Sequence, residues 1–304
     1  MENTVSVARA QNFSHEGIKR AVYCAIDSLS FATVKVPRKV SLKVNLCYYW
    51  DPSTGETTDP RVVSSVVDYI RERWNKEASI SVIESDASAV RASYAFRMLG
   101  YEKLAAEKNI RLSNLSKEPS RKTTVSSGGK AFTFRVPQSI SESDLFISIP
   151  KPKYHVTGIS CALKNQFGCN PAQRKFLLHP MLNEAIVALN KIMMPNLILL
   201  DGIIVRGVNS RKLGLIMAST NPVIVDFVMA KIMGLDPSEI DHLNLAIREG
   251  LGTVDTINIR GVDINYFKNK FPKMSPPSRL ERMTEKMKLS LYNLYLEAVN
   301  GIPL

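Results

Sequence analysis

The sequence predicts an α/β protein whose sheets are mostly parallel and flanked by helices. Two observations carry this. Short apolar runs of strand length alternate with segments of helical spacing, and several of the runs stop abruptly at proline or at polar residues. With 304 residues, 45% of them hydrophobic and 22% charged, the chain is long enough and apolar enough to bury a proper core.

Taken in order, Val40 to Cys47 alternates as a strand does. After the turn-rich Asp51-Pro-Ser-Thr-Gly55, a helix begins at Pro60, with Val62, Val63, Val66, Val67 and Ile70 on one face and proline in its first turn. Ile80–Ile83 is a short strand running into Glu84-Ser85-Asp86. Tyr94–Lys108 has helical spacing interrupted by Gly100, which divides it into two pieces. Ile110–Leu115 and Phe132–Val136 flank a loop rich in Ser, Gly and Lys. Asp144–Ile149 is a buried strand stopped by Pro150. Residues 150–180 lack regular pattern. A helix follows at about 181–193, then strands at Asn196–Leu200 and Leu213–Met217 and helices at about 222–234 and 238–249. The last predicted helix carries Leu280, Met283, Met287, Leu291 and Leu294 on one stripe, which suits docking on the body of the molecule, a homodimer through it, or a membrane surface.

No run of about 18 apolar residues is present, so a membrane-spanning helix is not expected. The first residues have neither a basic nor an apolar leader region, and Cys24, Cys47, Cys161 and Cys169 are scattered without a Cys-x-x-Cys. These features predict a cytoplasmic location and argue against a disulfide framework or a self-contained iron–sulfur module. The net charge of +12 is concentrated. Residues 108–135 carry seven bases against Glu118 alone, and residues 264–288 carry seven against Glu281 and Glu285. Such stretches attract nucleic acid, anionic lipid or acidic partners, or are solvated faces.

Ligands of parallel α/β sheets sit beyond the carboxyl ends of the strands. The polar residues just past those ends are Asn45 with Thr57-Thr58-Asp59, Ser85-Asp86, Lys151 to His155, and Asp201-Gly202. Between Lys151 and His179 lie Lys151, Lys153, His155, Lys164, Arg174, Lys175 and His179 with no carboxylate. A packed core has no use for that many cationic or titratable groups, whereas a site for a phosphate, a carboxylate or a nucleotide-like cofactor does. His155 and His179 are candidates for proton transfer or metal ligation, although their 24-residue separation is not a metal motif. Asp201 and Asp226 are candidates for acid–base work or for balancing a cation.

Lys43-Val-Asn-Leu46, Thr57-Thr-Asp-Pro60, Glu84-Ser-Asp86, Ile149-Pro-Lys-Pro-Lys-Tyr-His155, Ala162-Leu-Lys-Asn-Gln-Phe-Gly168, Lys175 to His179, Asp201-Gly202 and Asn221-Pro-Val-Ile-Val-Asp226 together resemble the "domain of unknown function 362" family from about residue 39 to 262. Many members carry ferredoxin-like cysteine clusters. This chain does not, so the resemblance implies a cluster only through a ferredoxin-like partner or through Cys161 and Cys169. A more distant likeness is to the nickel-pincer lactate racemase superfamily, whose His, Lys, His series is similar in order and spacing to His155, Lys164 and His179. That likeness implies two lobes, about 39–150 and 151–262, with a site in the cleft between them, a lysine that holds a nickel-pincer nucleotide, and a histidine on the metal. Residues 263–304 are then a basic extension. Where those enzymes place a histidine, this chain has Glu84-Ser85-Asp86.

The resulting expectation is an enzyme acting on a small anionic carboxylate or phosphate, a racemase- or epimerase-like isomerase or an oxidoreductase. In it His155, Lys164, His179, Asp86 and Asp201 are catalytic. Asn45, Thr58, Lys151, Lys153, Asn165, Lys175 and Asp226 bind substrate or cofactor, and His155 and His179 meet any metal. The alternatives are a metal-dependent transferase or lyase with a divalent cation on Asp226 or Asp201, and a protein that binds nucleic acid or an acidic partner.

Overall fold

The computed structural model describes residues 3–274 apart from 32, 34, 47–48 and 88–89, and residues through Lys273 form one unit. The anticipated C-terminal amphipathic helix, with its dimer, and Cys47 lie outside the described residues. The strands are β1 (Thr4–Arg9), β2 (Lys39–Lys43), β3 (Ser79–Glu84), β4 (Arg111–Asn114), β5 (Ser120–Ser127), β6 (Lys130–Pro137), β7 (Leu145–Ser148), β8 (Lys153–His155), β9 (Gly158–Ser160), β10 (Leu197–Arg206), β11 (Ser210–Ser219) and β12 (Asn258–Gly261). The α-helices are α1 (His15–Leu29), α2 (Pro60–Tyr69), α3 (Ala92–Met98), α4 (Tyr101–Lys108), α5 (Gln138–Ser141), α6 (Ala162–Asn165), α7 (Leu182–Ile192), α8 (Pro222–Met233), α9 (Asp241–Arg248) and α10 (Ile264–Lys268).

Eight strands form one sheet in the order β12-β1-β11-β10-β7-β2-β3-β4. All neighbours are parallel except β1 with β11 and β11 with β10. Helices cover both faces, which is why the inner strands alternate between two apolar sides rather than between apolar and polar. Along β10, Leu197, Leu199 and Ile203 face the α1–α2 core, and Ile198, Leu200 and Val205 face the α8–α9 core. A third cluster packs Phe132, Phe134 and Val136 of β6 onto Ala185, Ala188 and Leu189 of α7.

The two segments anticipated as lobes share this sheet. Strand β7 of the first hydrogen-bonds in parallel to β10 of the second, with Leu197 opposite Ile147 and Ile198 opposite Ser148. The sequence pattern announces neither β1 nor α1, and β1 lies second from one edge of the sheet, between β11 and the edge strand β12. The pattern also reads β5 as a loop, because Val125 is that strand's one large apolar residue. Eight cross-strand pairs with β6 hold it, while β6 brings the buried phenylalanines. The anticipated break at Gly100 is present: its φ of 80° ends α3 and starts α4.

Candidate functional site at the carboxyl ends of the parallel strands

The ends of β2, β3 and β7 and the middle of β10 are joined by a buried polar frame. Thr58 bridges two strand ends: its Oγ1 accepts from the Asn45 amide at 2.9 Å and donates to the Ile149 carbonyl at 2.9 Å. Asn165 bridges the same two ends: its Nδ2 donates to Ser148 Oγ at 2.9 Å, while its Oδ1 accepts from Asn45 Nδ2 at 3.1 Å. Behind them Lys151 and Asp201, each with a fully buried side chain, approach to 3.0 Å. The angle is poor for a hydrogen bond, so the ammonium is paired by charge. Asp201 also accepts from the amides of Asp59 at 2.8 Å and Ile203 at 3.0 Å, so this carboxylate holds the start of α2 against β10. Asp59 in turn caps α2 by accepting from the Arg61 amide at 2.9 Å. Asp86 is likewise internal, accepting from Ala92 N and Asn114 Nδ2, each at 2.9 Å.

These contacts revise several sequence assignments. Lys151, Asp201, Asp86, Thr58 and Asn165 build the frame. Asp226 belongs with them: its carboxylate accepts from the amides of Ala162 at 2.6 Å and Leu163 at 3.2 Å and from the Cys161 thiol, and so caps α6. Burial pushes its pKa up to about 7. The amide hydrogen bonds hold Asp201 at the start of α2 and Asp226 at the start of α6.

Capped by Asp226, α6 carries Lys164 as its third residue. The Lys164 charge acts on three imidazoles. His155, in β8, is lowered to about 3 by burial first and then by Lys164, His242, His179 and Lys153. His179, at the surface of the 3-10 segment Lys175–Met181, is lowered by partial burial of its ring and by Lys164. His242, in α9, is lowered to about 4 by burial and then Lys164. Lys164 is thus a shared cause of the lowering at His155, His179 and His242. The sequence reading missed His242, since a single histidine in an amphipathic helix carries no local signal. It is fully buried, neither ring nitrogen has a hydrogen-bond partner among the described residues, and Nε2 lies 4.0 Å from Asp226 Oδ2.

The His155 geometry selects its neutral tautomer. Nδ1 accepts from the Thr157 amide at 3.2 Å and lies 2.9 Å from Thr157 Oγ1, so the ring proton sits on Nε2. Lys153 adds a cation on the same hairpin, its Nζ donating to Asn45 Oδ1 at 2.8 Å and the Glu56 carbonyl at 2.9 Å. Lys175 stands elsewhere, buried at the end of β3 against Ser85.

Among the described residues no three His, Cys, Asp or Glu side chains converge as a metal-holding group. Cys161 and Cys169 are buried, and burial raises both thiols, Cys169 to about 12.

The profile of the family described as Domain of unknown function (DUF362) matches residues 40–231, which contain this whole strand-end frame. The chain belongs to that family. A protein of Synechocystis sp. called thylakoid-associated is 26% identical over 270 residues, covering 83% of this chain and 80% of that protein. Among solved structures, the lactate racemase apoprotein from Thermoanaerobacterium thermosaccharolyticum is similar with a TM-score of 0.38 and 13% identity. The similarity covers 81% of this chain and 56% of that one, so the chain spans little more than half the length of that protein. Among the described residues no helix is long and apolar enough to cross a membrane.

Proposed function

We propose that the chain is an enzyme that binds a small carboxylate or phosphate where Lys164 meets His155 and His179, and that it moves a proton on that molecule. The observation that carries this is the action of one lysine charge on three imidazoles. The groups that act on His155 are Lys164, Lys153 and two further histidines. An anion entering there meets the Lys164 ammonium, a Lys153 ammonium that lies 3.8 Å from Glu56, a neutral Nε2–H donor on His155 and a second imidazole on His179. Asn45, beside Lys153, supplies a further polar contact at the edge of the frame. An isomerase of the racemase or epimerase type, or an oxidoreductase, needs this combination of an anion clamp and proton-transfer groups.

The version with a nucleotide cofactor on Lys164 is tested separately. Lys164 would hold such a group and His155 or His179 would meet its metal; among the described residues no three His, Cys, Asp or Glu side chains converge. Intact-protein mass spectrometry on material from the native host reads out a covalent adduct, and an unmodified mass removes this version.

For the anion site itself, nuclear magnetic resonance of the histidine rings across pH, with and without sulfate, inorganic phosphate or L-lactate, is the direct test. A bound anion raises the pKa of His155 and His179, and Lys164→Ala abolishes the response. If none of the three anions moves either ring at millimolar concentration, the reading fails.

A further inference from the structure

Lys175 sits outside the Lys164 group, in surroundings of a different kind. It is 7% exposed, and among the described residues its hydrogen-bond partner is the Ser85 hydroxyl, which accepts from Nζ and itself donates to the Gly168 carbonyl at 2.5 Å. Two carboxylates act on the ammonium from nearby, and both are committed elsewhere. Glu84 accepts from Lys43 Nζ at 2.9 Å, the Leu46 amide at 3.1 Å and the Ser85 amide at 2.9 Å. Asp86 accepts from Ala92 and Asn114 and lies 3.7 Å from Arg91. Two lysines therefore share a buried neighbourhood in which Glu84 is matched to Lys43. Among the described residues the second ammonium, Lys175, makes no ion pair within 4 Å and feels Glu84 and Asp86 only from further off.

Glycine at 168 permits this crowding, because a Cβ there would lie 2.6 Å from Lys43 Nζ and 3.0 Å from Glu84 Oε1. Burial first, and the Lys43 charge against the pull of Glu84, take the Lys175 amine down to about 8. A desolvated lysine beside another cation is the usual arrangement for a nucleophilic amine.

We propose that Lys175 condenses with a small 2-oxo acid to form a Schiff base. The neutral Nζ attacks the carbonyl carbon, and the carbon–oxygen π pair moves to oxygen, which takes the proton released from nitrogen. The nitrogen lone pair then expels the hydroxyl, which leaves as water with one proton drawn from solvent. The product is an iminium with a single positive charge. That charge restores the unmatched cation that the buried cluster disfavours, and a carboxylate carried by the substrate neutralises it. This is why the cluster suits a 2-oxo acid rather than a neutral ketone.

The inference is independent of the anion site at Lys164. The test treats the full chain with pyruvate and sodium cyanoborohydride, whose hydride reduces the imine to a stable amine, followed by intact mass and peptide mapping. The expected result is one adduct per chain, mapped to Lys175, with a labelling rate that rises half-maximally near pH 8. Acetone reacts more slowly, and Lys175→Met, shown to be folded by circular dichroism, loses the adduct. Mapping on the wild-type chain decides the site even if that variant does not fold. Labels on exposed lysines with Lys175 unmodified overturn the proposal. So does a rate at Lys175 that still climbs toward the ordinary lysine value of about 10.4. Equal rates for acetone and pyruvate overturn the choice of an oxo acid.

Discussion

Replacing Lys151 by methionine keeps most of the side-chain volume and removes the charge that neutralises Asp201. Both side chains have 0% exposure and approach to 3.0 Å, so the carboxylate left behind has no solvent to turn to. Removing one partner of a buried pair costs about 3–5 kcal/mol. Asp201 retains the amides of Asp59 and Ile203, and hydrogen bonds to a charged acceptor are worth about 1.5–3 kcal/mol, which places the expected loss near the lower end, at about 3 kcal/mol. The loss depends on pH. Burial already raises the Asp201 pKa and Lys151 opposes that, so the substitution drives it higher. A carboxyl with a raised folded pKa holds a proton in the folded chain that the unfolded chain has released. Stability is therefore present at low pH and is lost as pH rises from about 4 through the folded pKa. Urea unfolding at pH 5 and pH 8 reads both effects, with a larger deficit expected at the higher pH. In a double-mutant cycle with Asp201→Asn, the double variant should cost less than the sum of the singles by about 2 kcal/mol. Additive losses that do not vary with pH would refute the view that this pair anchors α2 to β10.

Three further outcomes follow from the same geometry. Asp226, raised to about 7, costs the folded state progressively as pH climbs from about 4 to 7, so wild-type stability should fall relative to Asp226→Asn over that range, as urea midpoints at several pH values would reveal. Gly168→Ala should cost about 1–3 kcal/mol by driving a methyl group into the Lys43–Glu84 pair, and an unchanged urea midpoint would contradict the packing described. Lys164→Met should raise the pKa of His155, His179 and His242 in the histidine titration. His155 should still titrate below 6.5, because burial is the larger cause there.

Much of the site was legible because strand ends are local features. A run of β-branched and aliphatic residues stopped by Asn45, Ser85 or Pro150 marks where backbone leaves the sheet, and in parallel sheets those ends gather on one edge. The cationic stretch from Lys151 to His179 stood out for a related reason, since charge without carboxylates in a partly apolar segment is visible in composition alone. Roles were harder to read. Lys151 and Lys164 look alike in sequence, and so do Asp201 and Asp86. Which is buried and paired, and which acts on the imidazoles, depends on partners brought in by the fold, such as Asp201 for Lys151, 50 residues away.

The sequence by itself determined the α/β class, most of the helices and the strands β2, β3, β4, β6, β7, β10 and β11, because apolar periodicity and proline or glycine breaks act over a few residues. Tertiary structure decided the rest. It inserted β1 between β11 and β12, where pairing partners more than 200 residues away supply the hydrogen bonds that the segment's own pattern does not announce. It turned β5 from an apparent loop into a strand by lending it the buried aromatic face of β6. It also joined two presumed lobes through β7 and β10, and it set His242 against Asp226 near Lys164. Burial and charge pairing are properties of three-dimensional neighbourhoods, so the same lysine or aspartate becomes frame or chemistry only after the chain has closed around it.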